Sequence, residues 1–233
     1  MKYMGSKTRY AKQILPLVLK ERKEGQWYVE PFAGGFNMID KVKGNRIASD
    51  SNFYLIELFK AIQNGWTPPN EISENEYASI RDSKEKYPAC LVGFVGFGCS
   101  YAGKWFGGYA RGNTNKGIAR NYCEESKRNI LNQRQALQGV HIQNLNYWEL
   151  DIPENSIVYC DPPYAGTTKY KDKLDYPRFW AWVRELSKEH QVFVSEYVAP
   201  EDFECIWSKV VNNTLTKETG AKQGVERLFT LKR

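Results

Sequence analysis

The residues with the clearest chemistry are Asp161, Pro162, Pro163 and Tyr164, which directly follow an apolar run at 156–160. The Asp161 carboxylate can accept one N–H of a ring-conjugated amine, and the Pro162 carbonyl can accept the other. Together they favour a tetrahedral nitrogen whose lone pair points at an electrophile. The two prolines stiffen the loop, and Tyr164 can stack on a base. This loop predicts methyl transfer to an amine, whereas its plain structural interpretation is an Asp-Pro turn.

Two further loops place suitable groups for a nucleotide-like cofactor. Residues 30–35, Glu-Pro-Phe-Ala-Gly-Gly, follow a short apolar segment, and their glycines let the backbone approach a ligand closely. The next apolar segment, 46–49, ends in Asp50, sixteen positions after Gly34. An acid at this place binds ribose hydroxyls in βαβ nucleotide sites. Asp50 also precedes a strong helical pattern over 53–64, so capping of that helix is compatible with ribose binding.

With an opening segment, these loops resemble the DNA adenine-N6 methyltransferase family, which includes bacterial DNA adenine methylases and their phage relatives. The resemblance spans nearly the whole chain. Its pieces occur in the family's order: Lys2-Tyr3-Met4-Gly5-Ser6-Lys7, Val29-Glu30-Pro31-Phe32-Ala33-Gly34-Gly35, Ser49-Asp50-Ser51-Asn52 and Tyr159-Cys160-Asp161-Pro162-Pro163-Tyr164. It implies site-specific transfer of a methyl group from S-adenosylmethionine to a flipped-out adenine in double-stranded DNA.

The resemblance also implies roles for individual residues. Catalysis is expected of Asp161, Pro162, Pro163 and Tyr164, with Asp161 between the cofactor and the target base. Cofactor contacts are expected of Tyr3, Met4, Gly5, Lys7, Glu30, Pro31, Phe32, Ala33, Gly34, Gly35, Asp50, Ser51, Asn146, Tyr147 and Asp161. Transfer is direct, so neither a nucleophilic cysteine nor a metal ion is expected, and His141 and His190 are interpreted as structural.

Two positions depart from the family pattern. Phe36 stands where the glycine-rich loop more often ends in glycine, and we expect it to narrow the cofactor pocket without closing it. Asn146 precedes Tyr147 where relatives commonly carry an aspartate before an aromatic residue near the cofactor adenine. An asparagine accepts hydrogen bonds as aspartate does, but it carries no charge.

The basic charge of the chain is concentrated between residues 101 and 134. The whole sequence has a formal net charge of +6, and this stretch alone has seven basic residues against two acidic ones. Aromatic and glycine residues are interleaved with the cations, a combination that suits contact with phosphates and bases, although a solvated basic face is the alternative. DNA contacts are therefore predicted at Lys104, Trp105, Tyr109, Arg111, Lys116, Arg120 and Tyr122.

The coarse pattern predicts an α/β protein with a Rossmann-like, S-adenosylmethionine-dependent methyltransferase fold and a smaller inserted target-recognition domain. Strands are predicted near 27–29, 46–49, 141–144, 156–160 and 192–195, with a closing edge strand at 226–231. Helices are predicted over 7–20, bent or interrupted at Pro16, over 53–64, and from Pro177 onwards. Residues 1–65 and 140–233 are assigned to the catalytic domain and 66–139 to the insertion. The aromatic residues Phe179, Trp180 and Trp182 are assigned to the core.

Composition agrees with one substantial domain that carries an insertion. The chain has 233 residues, 42% of them hydrophobic, and five cysteines without a Cys-x-x-Cys pair. Reduced thiols, a cytoplasmic location in a bacterial or phage-infected cell, no membrane span and no structural zinc site are expected. A monomer and a weak dimer both stay open, as do the DNA recognition sequence and a phage, housekeeping or restriction-linked role.

Three other functions fit parts of the sequence. Cytosine-N4 methylation poses the same chemical problem, although Asp161 and the order of the motifs favour adenine. A nicotinamide-dependent oxidoreductase would use a glycine-rich loop, but Gly34-Gly35 does not fit Gly-x-Gly-x-x-Gly, and 161–164 would have no role. A catalytically inactive DNA-binding protein of the same fold is kept open by Phe36 and Asn146.

Overall fold

Seven strands form a single sheet in the computed structural model, which describes residues 1–115, 117–164, 174–212 and 223–232. The strands are β1 (Tyr28–Glu30), β2 (Arg46–Ser49), β3 (Val140–Gln143), β4 (Ile157–Cys160), β5 (Gln191–Glu196), β6 (Phe203–Asn212) and β7 (Gln223–Leu231). Their order across the sheet is β3-β2-β1-β4-β5-β7-β6. The first five are parallel to one another, and β7 runs antiparallel to both β5 and β6.

Six α-helices accompany the described part of this sheet: α1 (Ala11–Val18), α2 (Phe53–Gln63), α3 (Glu74–Asp82), α4 (Ala89–Gly93), α5 (Tyr122–Gln133) and α6 (Tyr176–Leu186). Short polar side chains begin several of them. The Asn52 side chain accepts from the N–H of Leu55 at 3.0 Å, and Asp175 caps α6 in the same way. A π-helix at Phe94–Gly98 follows α4 directly.

The sheet separates two apolar clusters because successive side chains of a strand point to opposite faces. In β4, Ile157 and Tyr159 belong to one cluster, and Val158 and Cys160 to the other. The first cluster also contains apolar residues of α1, α2 and segment 66–139, so this segment shares a core with the sheet. The boundaries of a separate recognition domain stay a prediction.

The α/β fold class and the five parallel strands are confirmed within one or two residues at each end. Phe179 and Trp180 are buried core residues, and Trp182 packs against them, as predicted. Helix α1 is shorter than the predicted 7–20 and continues through Pro16. None of the helices in the described ranges is long and apolar enough to cross a membrane.

The predicted edge strand at 226–231 is wrong in its position. This strand, β7, lies inside the sheet between β5 and β6, and β6 forms the edge. The sequence pattern gave no strand at 203–212, because charged and polar residues interrupt its apolar ones. Because β6 was not predicted, the last strand was left with one predicted neighbour and was assigned to the edge of the sheet.

Candidate active site

Asp50 lies just after β2 and joins two loops at the carboxyl ends of the parallel strands. Its Oδ2 accepts from the N–H of Gly34 at 3.0 Å, and its Oδ1 accepts from the N–H of Asn52 at 2.9 Å. The Asn144 side chain, after β3, donates to the Asp50 carbonyl at 2.8 Å. Burial raises the pKa of Asp50, and the two backbone donors lower it. Carboxylate oxygens have further lone pairs, which suit ribose hydroxyls, and Ser51 is exposed beside them.

Gly34 and Gly35 are in close contact with the N-terminal segment. A Cβ on Gly34, whose φ is 48°, would lie 2.8 Å from Cε1 of Tyr3, and a Cβ on Gly35 would lie 2.7 Å from Tyr3 Cβ. Side chains at these positions would therefore displace the tyrosine. The N–H of Met4 donates to the carbonyl of Gly103 at 3.3 Å, which holds the segment in place. The structure thus brings the predicted cofactor contact Tyr3 to the glycine loop, while Met4 contacts Gly103.

Lys7 is the buried cation of the site, with only 5% of its side chain exposed. Its Nζ lies 3.1 Å from Asp161 Oδ1 and 3.6 Å from Glu226 Oε2, and it donates to the Gly5 carbonyl at 3.2 Å. The same Nζ lies over the Tyr164 ring, 4.2 Å from its centroid. Burial lowers the pKa of Lys7, but the two carboxylates more than offset this and the pKa is raised. Lys7 is therefore charged at neutral pH.

Asp161 is the first residue after β4, and 19% of its side chain is exposed. Burial raises its pKa to about 6, against the lowering effect of the Lys7 ammonium. The group is mostly ionised at neutral pH. A partly exposed carboxylate of this kind can accept an N–H from an incoming amine.

The rest of the Asp-Pro-Pro-Tyr loop is held from two sides. The hydroxyl of Tyr176, in α6, hydrogen-bonds the Pro163 carbonyl and lies 3.0 Å from Glu196 Oε2. Pro162 is buried. Side chains of α6 and β5 therefore fix the path of this loop. Neither of these hydrogen bonds uses the Asp161 carboxylate.

Tyr164 is oriented by both its ring and its hydroxyl. The hydroxyl donates to Glu226 Oε2 at 2.8 Å, and the ring meets that of Tyr197 edge to face, with centroids 4.6 Å apart. Burial and the nearby carboxylates raise the pKa of Tyr164 well above its usual value, so the hydroxyl stays a donor.

Glu30 is the last residue of β1, and its carboxyl group points into the interior. It is 3% exposed, and its Oε1 accepts from the Tyr28 hydroxyl at 2.8 Å. Burial raises the pKa of Glu30 well above its usual range, which favours the neutral form. Pro31 and Ala33 are buried beside it. Glu30 therefore contacts Tyr28, and direct contact with a cofactor stays a prediction.

An aromatic pair stands at the other side of the glycine loop. Phe32 and Tyr147 stack with centroids 5.2 Å apart and an interplanar angle of 30°. Asn146 is partly exposed, and its backbone and side-chain N–H groups donate to Glu149 Oε2 at 3.0 and 2.9 Å. The structure thus brings Phe32 and Tyr147 together, and Asn146 uses its amide to position the loop.

Phe36 adopts a left-handed backbone conformation with a φ of 56°, which explains why glycine is common at this position. Its side chain is fully buried and stacks on Phe59 of α2, with centroids 3.9 Å apart. The ring fills the core behind the loop. The expected narrowing of the cofactor pocket is therefore not what this ring does.

Three of the predicted DNA-contacting cations lie at the surface, and two of these have acidic partners. Arg111 is paired with Glu74, and Arg120 is paired with Glu125 through two hydrogen bonds of 2.8 and 2.6 Å. Lys104 is exposed. Lys116 lies outside the described residues.

The predicted DNA-contacting aromatic residues are partly buried. Trp105 stacks on Tyr54, with centroids 5.6 Å apart, and packs over Gly96 of the π-helix. The Tyr109 hydroxyl donates to the carbonyl of Ile72 at 2.7 Å. Tyr122 lies beneath the Arg120 guanidinium at 4.7 Å. The structure thus groups Arg120 with Tyr122, and ties Trp105 and Tyr109 to the apolar core.

Sequence reasoning missed Glu226, Tyr197 and Tyr176, all of which border the Asp-Pro-Pro-Tyr loop. A signal for Glu226 was present in the sequence. It lies two positions before Leu228 in β7, so its side chain is on the same face of the strand as that buried residue. A charge on the inward face of a strand is unusual and points to a partner. Among the described residues, no cluster of three or more histidine, cysteine, aspartate or glutamate side chains has the arrangement to hold a metal ion.

The sequence matches the family described as D12 class N6 adenine-specific DNA methyltransferase over residues 3–90 and 99–219. It is 25% identical over 213 residues to the type II methyltransferase M.FokI of Planomicrobium okeanokoites, covering 80% of this chain and 32% of that protein. It is 27% identical over 197 residues to the modification methylase StsI of Streptococcus sanguinis, covering 74% of this chain and 29% of that protein. The chain thus spans about a third of the length of these two curated relatives.

Among solved structures, the rRNA methyltransferase AviRa from Streptomyces viridochromogenes aligns with a TM-score of 0.42 and 11% sequence identity. The alignment covers 96% of this chain and 84% of that one.

Proposed function

Because the chain belongs to the family of D12 class N6 adenine-specific DNA methyltransferases, we propose that it methylates the N6 amine of adenine in DNA. The observation that carries this proposal is the placement of Asp161 and Tyr164. Both lie at the carboxyl end of β4, where open α/β sheets bind their ligands, and both contact the buried ammonium of Lys7. A carboxylate acceptor beside an aromatic ring suits an amino group on a planar base.

A methyltransferase requires a methyl donor, and we propose that the donor is S-adenosylmethionine. The residues present fit this group, since the Asp50 carboxylate suits ribose hydroxyls and the glycine loop lets Tyr3, a proposed cofactor contact, pack directly against its backbone. Tyr3, Lys7, Phe32 and Asp50 are the side chains proposed to hold it. When bound, the donor supplies a methyl group whose C–S bond breaks toward sulfur as the N–C bond forms, and the nitrogen then releases one proton.

The chain's own residues would prepare the amine. Asp161 accepts one N–H and the Pro162 carbonyl the other, which turns the nitrogen lone pair out of conjugation with the ring. Tyr164 stacks on the base, and its hydroxyl is held by Glu226. Strong general-base catalysis is unnecessary, because the amine's proton becomes acidic only after the nitrogen is methylated.

The proposed substrate is double-stranded DNA whose target adenine is flipped out of the helix, at a cost of a few kcal/mol. Segment 66–139 is the proposed recognition region, and its exposed cations Lys104, Arg111 and Arg120 are proposed to meet phosphates. Stacking on Tyr164 would offset part of the flipping cost.

The names of the two curated relatives suggest a modification role, so we include a restriction-linked function in the proposal. We further propose action in the cytoplasm of a bacterial or phage-infected cell, as a monomer or weak dimer.

The test is incubation with methyl-labelled S-adenosylmethionine and unmethylated bacterial DNA, followed by nucleoside analysis of the product. We expect N6-methyladenine from the wild type and at least a hundredfold less from Asp161→Ala. N4-methylcytosine would instead support the cytosine enzyme. Binding of both cofactor and DNA without any methylated base would show an inactive DNA-binding protein.

A further inference from the structure

Glu226 joins the two groups that surround the Asp161 carboxylate. Its Oε2 accepts the hydroxyl of Tyr164 at 2.8 Å and lies 3.6 Å from Lys7 Nζ. Only 13% of its side chain is exposed. A largely buried carboxylate needs such partners, since an ion without them is costly to keep out of water.

The fold holds this carboxylate in a defined place. Glu226 lies in the middle of β7, paired with Lys209 of β6, and the next residue, Arg227, is paired with Glu196 of β5. The Arg227 guanidinium donates to the carbonyl of Tyr197. The register of β7 with the strands on both sides therefore fixes the position of Glu226 along the sheet, next to the loop that follows β4.

The Lys7 ammonium lies near two carboxylates, those of Asp161 and Glu226. If Asp161 were the sole anion beside Lys7, the ammonium would compete with the target amine for its oxygens. With Glu226 also within reach, Lys7 keeps an anionic neighbour when Asp161 accepts the amine. Glu226 also fixes the rotation of the Tyr164 ring, whose face is to stack on the base.

We infer that Glu226 is a positioning residue for methyl transfer, which holds Lys7 and Tyr164 so that Asp161 is available to the target amine. This inference rests on the proposed function. It concerns a residue in the last strand of the sheet, outside all four segments that carry the family resemblance.

The experiment compares Glu226→Gln with wild type in steady-state methyl transfer to bacterial DNA across pH 5 to 8. The variant keeps the volume and an acceptor for Tyr164 but removes the negative charge. We expect kcat to fall about tenfold while the KM for DNA changes less than about threefold. The pH at which kcat reaches half of its plateau should also be lower in the variant, because the Glu226 charge raises the pKa of Asp161.

The matched control is Glu204→Gln, which removes an exposed carboxylate from the neighbouring strand β6. It should change neither kcat nor the pH profile. A second variant, Glu226→Ala, also removes the acceptor for Tyr164 and should reduce kcat further, and adding Tyr164→Phe to it should cost less than Tyr164→Phe costs alone.

The inference is overturned if Glu226→Gln retains wild-type kcat and midpoint, or if kcat falls with an unmoved midpoint, which indicates a structural role only. Melting temperatures of all variants accompany the rates. Wild-type protein that makes no methylated base refutes the proposed function itself, and the inference with it. An active wild type with an unaffected Glu226→Gln refutes the inference alone.

Discussion

Asp161 experiences two opposing influences on its charge, burial after β4 and the Lys7 ammonium 3.1 Å away. The net result is a pKa of about 6, above the ordinary value of an aspartate. Since the folded protein binds this proton more tightly than the unfolded chain, the group's contribution to stability falls as pH rises from about 4 to about 6. Its ability to accept an N–H rises over the same interval, so activity and stability should change in opposite directions.

The first prediction follows from that balance. The methyl-transfer rate should rise with pH through a midpoint of about 6 and level off at higher pH, because the ionised form of Asp161 is required. Lys7→Gln should shift this midpoint to higher pH, since the ammonium lowers the pKa of Asp161. Single-turnover rates between pH 5 and 8 measure both. The control is Lys12→Gln, an exposed position in α1, and an equal shift in both variants would contradict the assignment.

The loop after β1 and helix α2 meet at Phe36 and Phe59, and this contact links a strained backbone to the core. Phe36 has a φ of 56° and no exposed surface. The left-handed conformation costs about 1–2 kcal/mol for a residue with a side chain. Burial of the ring more than offsets this cost, since truncating a buried phenylalanine costs about 3–5 kcal/mol.

The second prediction reverses the usual order of alanine and glycine. Both Phe36→Ala and Phe36→Gly should lower the free energy of unfolding, but the glycine variant should be the more stable of the two by about 1 kcal/mol. At Phe59, inside α2, the alanine variant should be more stable by about 1 kcal/mol. Urea unfolding of the four variants tests this, and alanine above glycine at both positions would refute it.

Local signals were enough to predict some elements and not others. The polar residues before position 53 and the apolar run behind them predicted α2, although the residue that caps this helix is Asn52 and not the predicted Asp50. Continuous apolar runs predicted the buried strands β2 and β4. Asp50 and the glycine loop were predicted as one site, and a hydrogen bond joins them. The place of β7 depends on pairing with β6, a long-range contact that no local pattern records, so Glu226 was missed with it.

The charge of the whole molecule is unevenly distributed, and two surface arginines in the proposed recognition region are paired with carboxylates. Arg111 pairs with Glu74, and Arg120 with Glu125. Exposed ion pairs of this kind contribute little free energy, so each arginine can exchange its carboxylate partner for a DNA phosphate at little cost. Electrostatic attraction to DNA should therefore depend on these arginines and on salt.

The third prediction concerns that salt dependence. The double variant Arg111→Gln with Arg120→Gln should bind duplex DNA more weakly and reduce the slope of log K against log salt by about 2. Fluorescence anisotropy between 50 and 200 mM salt, roughly the range over which phosphate contacts are lost, measures this slope. The control is Arg184→Gln, on α6, which breaks the ion pair of Arg184 with Asp202 and should leave the slope unchanged. A slope that is the same in all three proteins would exclude these phosphate contacts.

Strand β7 lies between β5 and β6 although β6 precedes it in the chain. During vectorial synthesis, β6 therefore leaves the ribosome before the strand that will attach it to the sheet. Until β7 arrives, the nascent chain presents the open backbone edge of β5, to which a strand from another chain can add. Arrested translation before residue 223 would consequently leave a five-stranded parallel sheet that has an unpaired, aggregation-prone edge at β5 and lacks the Glu226 carboxylate. A chaperone that covers this edge would act in this interval.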